Sequence, residues 1–151
     1  MKKNYFLTGI ALVILLLAQF AWAGEQVIRI NDPWVREAPP NAPTSAAYMI
    51  IENLSARQQT LTSVTSSAFA SVMIHQTVNR DGMMQMEHKS QLEIAAKGKV
   101  VLAPGGYHLM LMGPKKNIIA GDKVALSLKF AEGEEMVIEV PVRKFSTLAT
   151  Q

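Results

Sequence analysis

The sequence predicts an all-β domain, a Greek-key β-sandwich or barrel, behind a cleavable export signal. Three observations predict it. After the first 23 residues the apolar side chains recur in short runs of strand length, and no stretch sustains a helical period. Turn-forming clusters interrupt those runs about every 8–12 residues, as in an antiparallel sandwich. The chain has 151 residues, no internal repeat and no second composition boundary, so one domain is expected.

The amino end is read apart from that domain. Lys2 and Lys3 form a short basic end, and Phe6 to Phe20 is almost entirely apolar. Ala21-Trp22-Ala23 then places small residues at the two positions a signal peptidase inspects. Residues 1–23 are expected to be removed, leaving Gly24 as the mature start and no membrane attachment. The apolar run is shorter than the ~20 residues a spanning helix needs. No cysteine follows Ala23, so a lipoprotein is not expected.

The strands follow in order. Val27 to Ile30 is extended, Asn31-Asp32-Pro33 turns, and Trp34 to Arg36 continues the strand. Pro39, Pro40 and Pro43 make 37–43 a loop, because proline lacks the N–H a ladder needs. Thr44 to Glu52 and Gln59 to Ser66 read as strands. Ser71 to Val78 and Met83 to Lys89 flank the turn Asn79-Arg80-Asp81-Gly82. Leu92 to Ile94 and Lys99 to Leu102 are short strands before the sharp Pro104-Gly105-Gly106 turn. Tyr107 to Met112 follows, broken by Gly113-Pro114. Lys123 to Phe130 alternates cleanly, with Val124, Leu126, Leu128 and Phe130 facing in. Met136 to Val142 closes the domain, with Pro141 suggesting an edge strand. The domain is placed at 24–145 and a frayed tail at 146–151.

Composition excludes several functions. There is no cysteine, which rules out thiol redox chemistry and a thiolate blue-copper centre. Lys2 and Lys3 leave with the signal, so thirteen basic side chains face twelve acidic ones. No basic stripe interleaved with aromatics appears, so nucleic acid is not an expected partner. No nucleophile–base pair or carboxylate dyad is apparent, and an enzyme is not expected. Asp81 and Glu87 read as hairpin solvation.

The informative stretch is Met73 to Met112. It holds all three histidines and six of the nine methionines. Imidazole nitrogen and thioether sulfur without any thiol form the donor set of a soft metal site, above all Cu(I). In a strand, His108 and Met110 project to one face with Met112, while Leu109 and Leu111 face the other. A four-residue turn would set His75 directly opposite Met86 on one face. A three-residue turn with a bulge at Gly82 would send them to opposite faces, and Asn-x-Asp-Gly fits either. Taken singly, a histidine in a β-protein is usually exposed or hydrogen-bonded, and a methionine is usually core filler. His88 keeps that plain reading. Met73, Met83, Met84 and Met112 read as packing or neighbours of the site, and Trp34 and Tyr107 as core or rim aromatics.

These residues resemble the PCu(A)C copper chaperones. The family pattern is His, ten residues, Met, twenty-one residues, His, one residue, Met. His75, Met86, His108 and Met110 fit it without a gap. Trp34-Val35-Arg36, Ala46-Ala47-Tyr48 and Pro104-Gly105-Gly106-Tyr107-His108 are also similar, and the likeness runs from about Val27 to Val142. The resemblance implies a cupredoxin-like fold and Cu(I) held by those two imidazoles and two thioethers. It implies a periplasmic monomer delivering copper toward the CuA centre of cytochrome c oxidase, with subunit II or a Sco-type protein as partner. Members with a His/Met-rich C-terminal extension bind Cu(II) there; here only Arg-Lys-Phe-Ser-Thr-Leu-Ala-Thr-Gln follows Val142. Two other functions stay open: a copper buffer without a dedicated acceptor, and a metal-free β-sandwich interaction module.

Overall fold

The computed structural model describes residues 26–144, so the expected signal segment and tail lie outside the described residues. Those residues form strands, turns and bends and contain no α-helix. In chain order the strands are β1 (Ile28–Arg36), β2 (Thr44–Asn53), β3 (Gln59–Thr65), β4 (Phe69–Arg80) and β5 (Met83–Lys89). They continue with β6 (Leu92–Ile94), β7 (Lys99–Leu102), β8 (Tyr107–Pro114), β9 (Lys123–Phe130) and β10 (Glu135–Arg143). All ten join in the order β5-β4-β8-β7-β2-β1-β10-β9-β3-β6, and β8 also pairs β2.

Two halves make up this sheet, each antiparallel throughout except where β7 and β8 pair parallel at Leu102↔Tyr107. The seam between them is narrow: β1 and β10 run parallel and pair only at Val35↔Val142 and Arg36↔Arg143. Side chains from both halves bury into one cluster, including Ile51, Leu109 and Leu111 on one side and Leu126, Leu128 and Phe130 on the other. The alternation expected for β9 is what the fold uses, since Val124, Leu126, Leu128 and Phe130 are all buried. Each such apolar side chain contributes about 1.5–3 kcal/mol by leaving water. Trp34 stacks on Tyr48 with ring centroids 4.6 Å apart, beside the bulge that the positive φ of Asp32 makes in β1.

Three local expectations change. The β4–β5 turn has two residues, not three or four, because Arg80 pairs Met83 directly. Asp81 (φ 53°) and Gly82 (φ 82°) both take left-handed dihedrals, the type I′ geometry that matches strand twist. The Gly82 N–H donates to Asn79 Oδ1 at 2.9 Å. Pro141 lies inside the sheet, in a strand with neighbours on both sides. Its ladder with β1 begins only at Val142, so a missing N–H removes nothing on that side. Gly113-Pro114 continues β8 instead of breaking it, and Pro114 pairs Phe69.

Gly113 is there for two reasons. Its φ is +60°, and a Cβ would lie 2.9 Å from the Ala70 Cβ. Gly113→Ala is expected to destabilise the fold by about 1–3 kcal/mol through dihedral strain and this overlap. Urea unfolding checks it, and a midpoint equal to that of the wild type contradicts it.

Asn53 closes the far end of β2 and is buried. Its Nδ2 donates toward Arg57 O (2.7 Å), Ile94 O (3.1 Å) and Ala95 O (3.0 Å). Its Oδ1 accepts from Ser55 N (2.9 Å) and Ser55 Oγ (2.8 Å). One amide thus ties the β2–β3 connection to the end of β6.

Candidate metal centre

The candidate donors sit on the half-sheet where β4 lies between β5 and β8. Directly opposed residues of antiparallel strands point to the same face. His88, His75 and His108 are in register across β5, β4 and β8. The three imidazoles therefore form one row. Ring centroids of His75 and His108 are 5.9 Å apart, edge to face, and those of His75 and His88 are 5.8 Å apart.

The thioethers flank this row. Met110 sits next along β8 and pairs Met73 on one side and Ala46 of β2 on the other. Met86 pairs Thr77, one step nearer the turn. All four expected donors, His75, Met86, His108 and Met110, therefore share a face. The face is the same one a four-residue turn would select, because loops differing by two residues preserve side-chain parity. The directly opposed partner of His75 is His88, however, and Met86 lies on the diagonal. A diagonal pair is roughly 7–8 Å apart, within reach of long side chains. Met86 is 62% exposed on the edge strand, so its flexible thioether can swing toward the row or away.

Backbone contacts set the imidazoles. His108 is only 6% exposed, and its Nδ1 lies 3.1 Å from Gly106 O. A carbonyl can only accept, so in the neutral ring Nδ1 carries the proton and Nε2 keeps its lone pair. The same Gly106 oxygen accepts the Thr77 N–H at 3.0 Å, which couples the Pro104-Gly105-Gly106 turn to β4. His75 Nδ1 is buried and has no hydrogen-bond partner. Leaving such an atom unpaired costs about 1–3 kcal/mol. Desolvation, followed by the nearby His108 and His88, holds the His75 pKa below the usual histidine value. His75 therefore stays neutral at pH 7 and can offer a lone pair.

The chemistry of this set fits a soft ion. Among the described residues no three His, Asp or Glu side chains gather tightly enough to hold a metal by themselves. A site with three or more side-chain ligands here has to use thioethers, and that favours Cu(I) over harder ions. Acidic groups stand apart. Glu87 projects to the opposite face of β5, pairs Arg80, and lies 3.0 Å from Lys89 Nζ. The Lys89 hydrogen bond, then the Arg80 charge, holds its carboxyl below the usual carboxylate range. This agrees with its reading as hairpin solvation. A cleft of about 1000 Å³ lies beside the proline-rich loop, lined by Arg36, Pro39, Phe69, Lys116 and Ile118 among others. No His or Met donor lines it.

His88 was not singled out by its spacing, and only the register reveals it. The signal that could have found it is Asp-Gly itself, the preferred pair for a two-residue turn. Tyr107 and Trp34 are half-buried, as rim aromatics are.

Known proteins are similar to this chain in sequence and in fold. Residues 28–142 match the family model described as "Putative lipoprotein LpqE-like". "Putative lipoprotein Lxx21020" of Leifsonia xyli is 35% identical over 141 residues, spanning 93% of this chain and 84% of the relative. The solution structure of CuI-DR1885 from Deinococcus radiodurans is 30% identical, with a TM-score of 0.66 over 84% of this chain and 85% of that one. The copper-bound PCuAC domain from PmoF2 is 25% identical, with a TM-score of 0.68 over 80% of this chain and 95% of that one. The all-β fold is thus cupredoxin-like, as in these PCuAC domains. With its family model covering every strand from β1 to the end of the β10 core, the chain belongs to the LpqE-like family, of PCuAC type.

Proposed function

We propose that this protein is a Cu(I)-binding chaperone, exported to the periplasm after loss of residues 1–23, that carries copper to an acceptor protein. The observation that carries this reading is the pair His75 and His108. Their rings are 5.9 Å apart, and the buried His75 Nδ1 is left without a partner. Met110 and the exposed Met86 on the same face supply the soft donors. The copper-bound state of the similar PmoF2 and DR1885 structures supports it. The family description supports export, although this sequence has no cysteine to carry a lipid.

The role is binding and transfer, not catalysis. Neutral imidazole and thioether ligands hold Cu(I) without adding charge, and an exposed thioether can yield its place to an incoming thiolate. Copper then moves by ligand exchange toward a thiolate-rich acceptor, for which the CuA centre of cytochrome c oxidase subunit II or a Sco-type protein is proposed. The domain at 24–145 acts as a monomer, with 146–151 as a tail.

Titration with Cu(I) against a chromogenic chelator tests the site, and mixing the loaded protein with a purified subunit II domain tests the acceptor. One equivalent of Cu(I) bound is expected. No uptake would remove the chaperone reading; uptake without transfer would leave a copper buffer. Protons compete with copper for His75 only below its ordinary pKa of about 6.5, since the fold lowers that pKa. Affinity is therefore expected to be level between about pH 8 and 7 and to fall in mildly acid buffer. Constant affinity through that descent would contradict imidazole ligation.

A further inference from the structure

We infer that His88 is a further copper donor, and that with His75 it forms a nitrogen site for Cu(II) at the open edge of the sheet. The inference rests on the reading of this face as a copper site.

Register carries the argument. Arg80↔Met83 closes a two-residue turn and is a hydrogen-bonded pair; pairs alternate from there along the ladder. His75↔His88 is the fifth step on and so a non-hydrogen-bonded pair, in which opposed side chains approach most closely. Their ring centroids stand 5.8 Å apart and tilted by 33°. Two imidazoles bound through nitrogens about 2.0–2.1 Å from one metal have centroids about 4.5 Å apart at a right angle and about 6.3 Å apart in line, a range that includes the observed separation. The buried His75 Nδ1 has no partner. His88 is exposed on β5, an edge strand, and is open to an arriving ion and to solvent water.

Ion preference then divides the row. His75 with His108 and the thioethers makes a soft set. His75 with His88 and water makes a nitrogen and oxygen set, which suits tetragonal Cu(II). Because three imidazoles in line do not enclose one ion, both sets draw on His75 and are filled one at a time. No redox step is implied, since each ion is bound in the state in which it arrives.

The test compares wild type, His88→Gln and Met110→Leu. Aqueous Cu(II) is titrated against glycine as competitor and followed by X-band EPR; Cu(I) is titrated separately against a chelator. Wild type is expected to give an axial Cu(II) signal with coupling to two imidazole nitrogens. His88→Gln is expected to weaken Cu(II) about tenfold, lose one nitrogen from that coupling, and lose far more Cu(II) than Cu(I) affinity. Met110→Leu should show the reverse preference. Thermal melting confirms that the exposed substitution leaves the fold intact. Unchanged Cu(II) affinity and coupling in His88→Gln would overturn the inference, as would an equal loss of both ions. Failure of wild type to take up Cu(I) would instead overturn the chaperone reading, which the separate titration reports.

Discussion

Met110→Leu is expected to weaken Cu(I) binding by about ten- to a hundredfold, equivalent to about 1.4–2.7 kcal/mol. Leucine nearly conserves the volume, so fold stability should change by less than about 1.5 kcal/mol. Met110 is half-buried between Met73 and Ala46, which limits the space for repacking. What is lost is the sulfur. Without it the remaining donors are imidazoles and one exposed thioether, a set less selective for Cu(I). Met73→Leu is the matched control, because Met73 pairs Met110 across the ladder yet lies outside the proposed donor set. Chelator competition on both variants decides the matter. Equal affinity of Met110→Leu and wild type would remove Met110 from the site.

Asn53→Asp should produce the largest loss of stability, far from that face. Asn53 is 1% exposed, and its Nδ2 serves three carbonyl oxygens. A carboxylate would put oxygen where a donor is needed, and would bury a charge without a counter-ion. Destabilisation of about 3–5 kcal/mol at pH 7 is expected. The sign of its pH dependence follows. Burial would raise the folded carboxyl pKa above the unfolded value of about 3.9, so the folded state would bind the extra proton. The penalty therefore grows as pH rises above that value and shrinks in acid, where a protonated carboxyl can donate once. Urea unfolding at neutral and mildly acid pH reads both parts. A variant as stable as wild type would mean that the amide hub does not hold the loop.

Strand identity was legible because each strand is short, bounded by turn formers and alternating where one side is buried. Lys123 to Phe130 and Met83 to Lys89 show this: the observed limits of β9 and β5 coincide with the apolar or polar runs. Pairing was harder. Loop length depends on dihedrals that Asn, Asp and Gly can all supply, so Asn79 to Gly82 admits several turns. The two-residue turn kept Met86 on the expected face but gave its place opposite His75 to His88. Proline and glycine misled for a related reason. Pro141 forbids one hydrogen bond, and the fold simply has no bond at that position on the β1 side. Gly113 was read as a breaker, but it adapts β8 to close approach by Ala70. The buried Asn53 hub was invisible because its five partner atoms come from two segments about forty residues apart, Ser55–Arg57 and Ile94–Ala95. Of the candidate site, residue chemistry and spacing singled out four candidate donors, and the strand register sets them on one face. The row of three rings depends on strand neighbours that periodicity does not specify.

The parallel seam between β1 and β10 sets an order of events for the nascent polypeptide. The first strand meets its last partner only after Val142 and Arg143 have emerged, more than a hundred residues later. Until then one half of the sheet lacks the other, and Val35 has no neighbour in β10. Long-range closure of this kind makes folding slow relative to local structure formation. A chain built this way cannot complete its sheet until its last strand has been made.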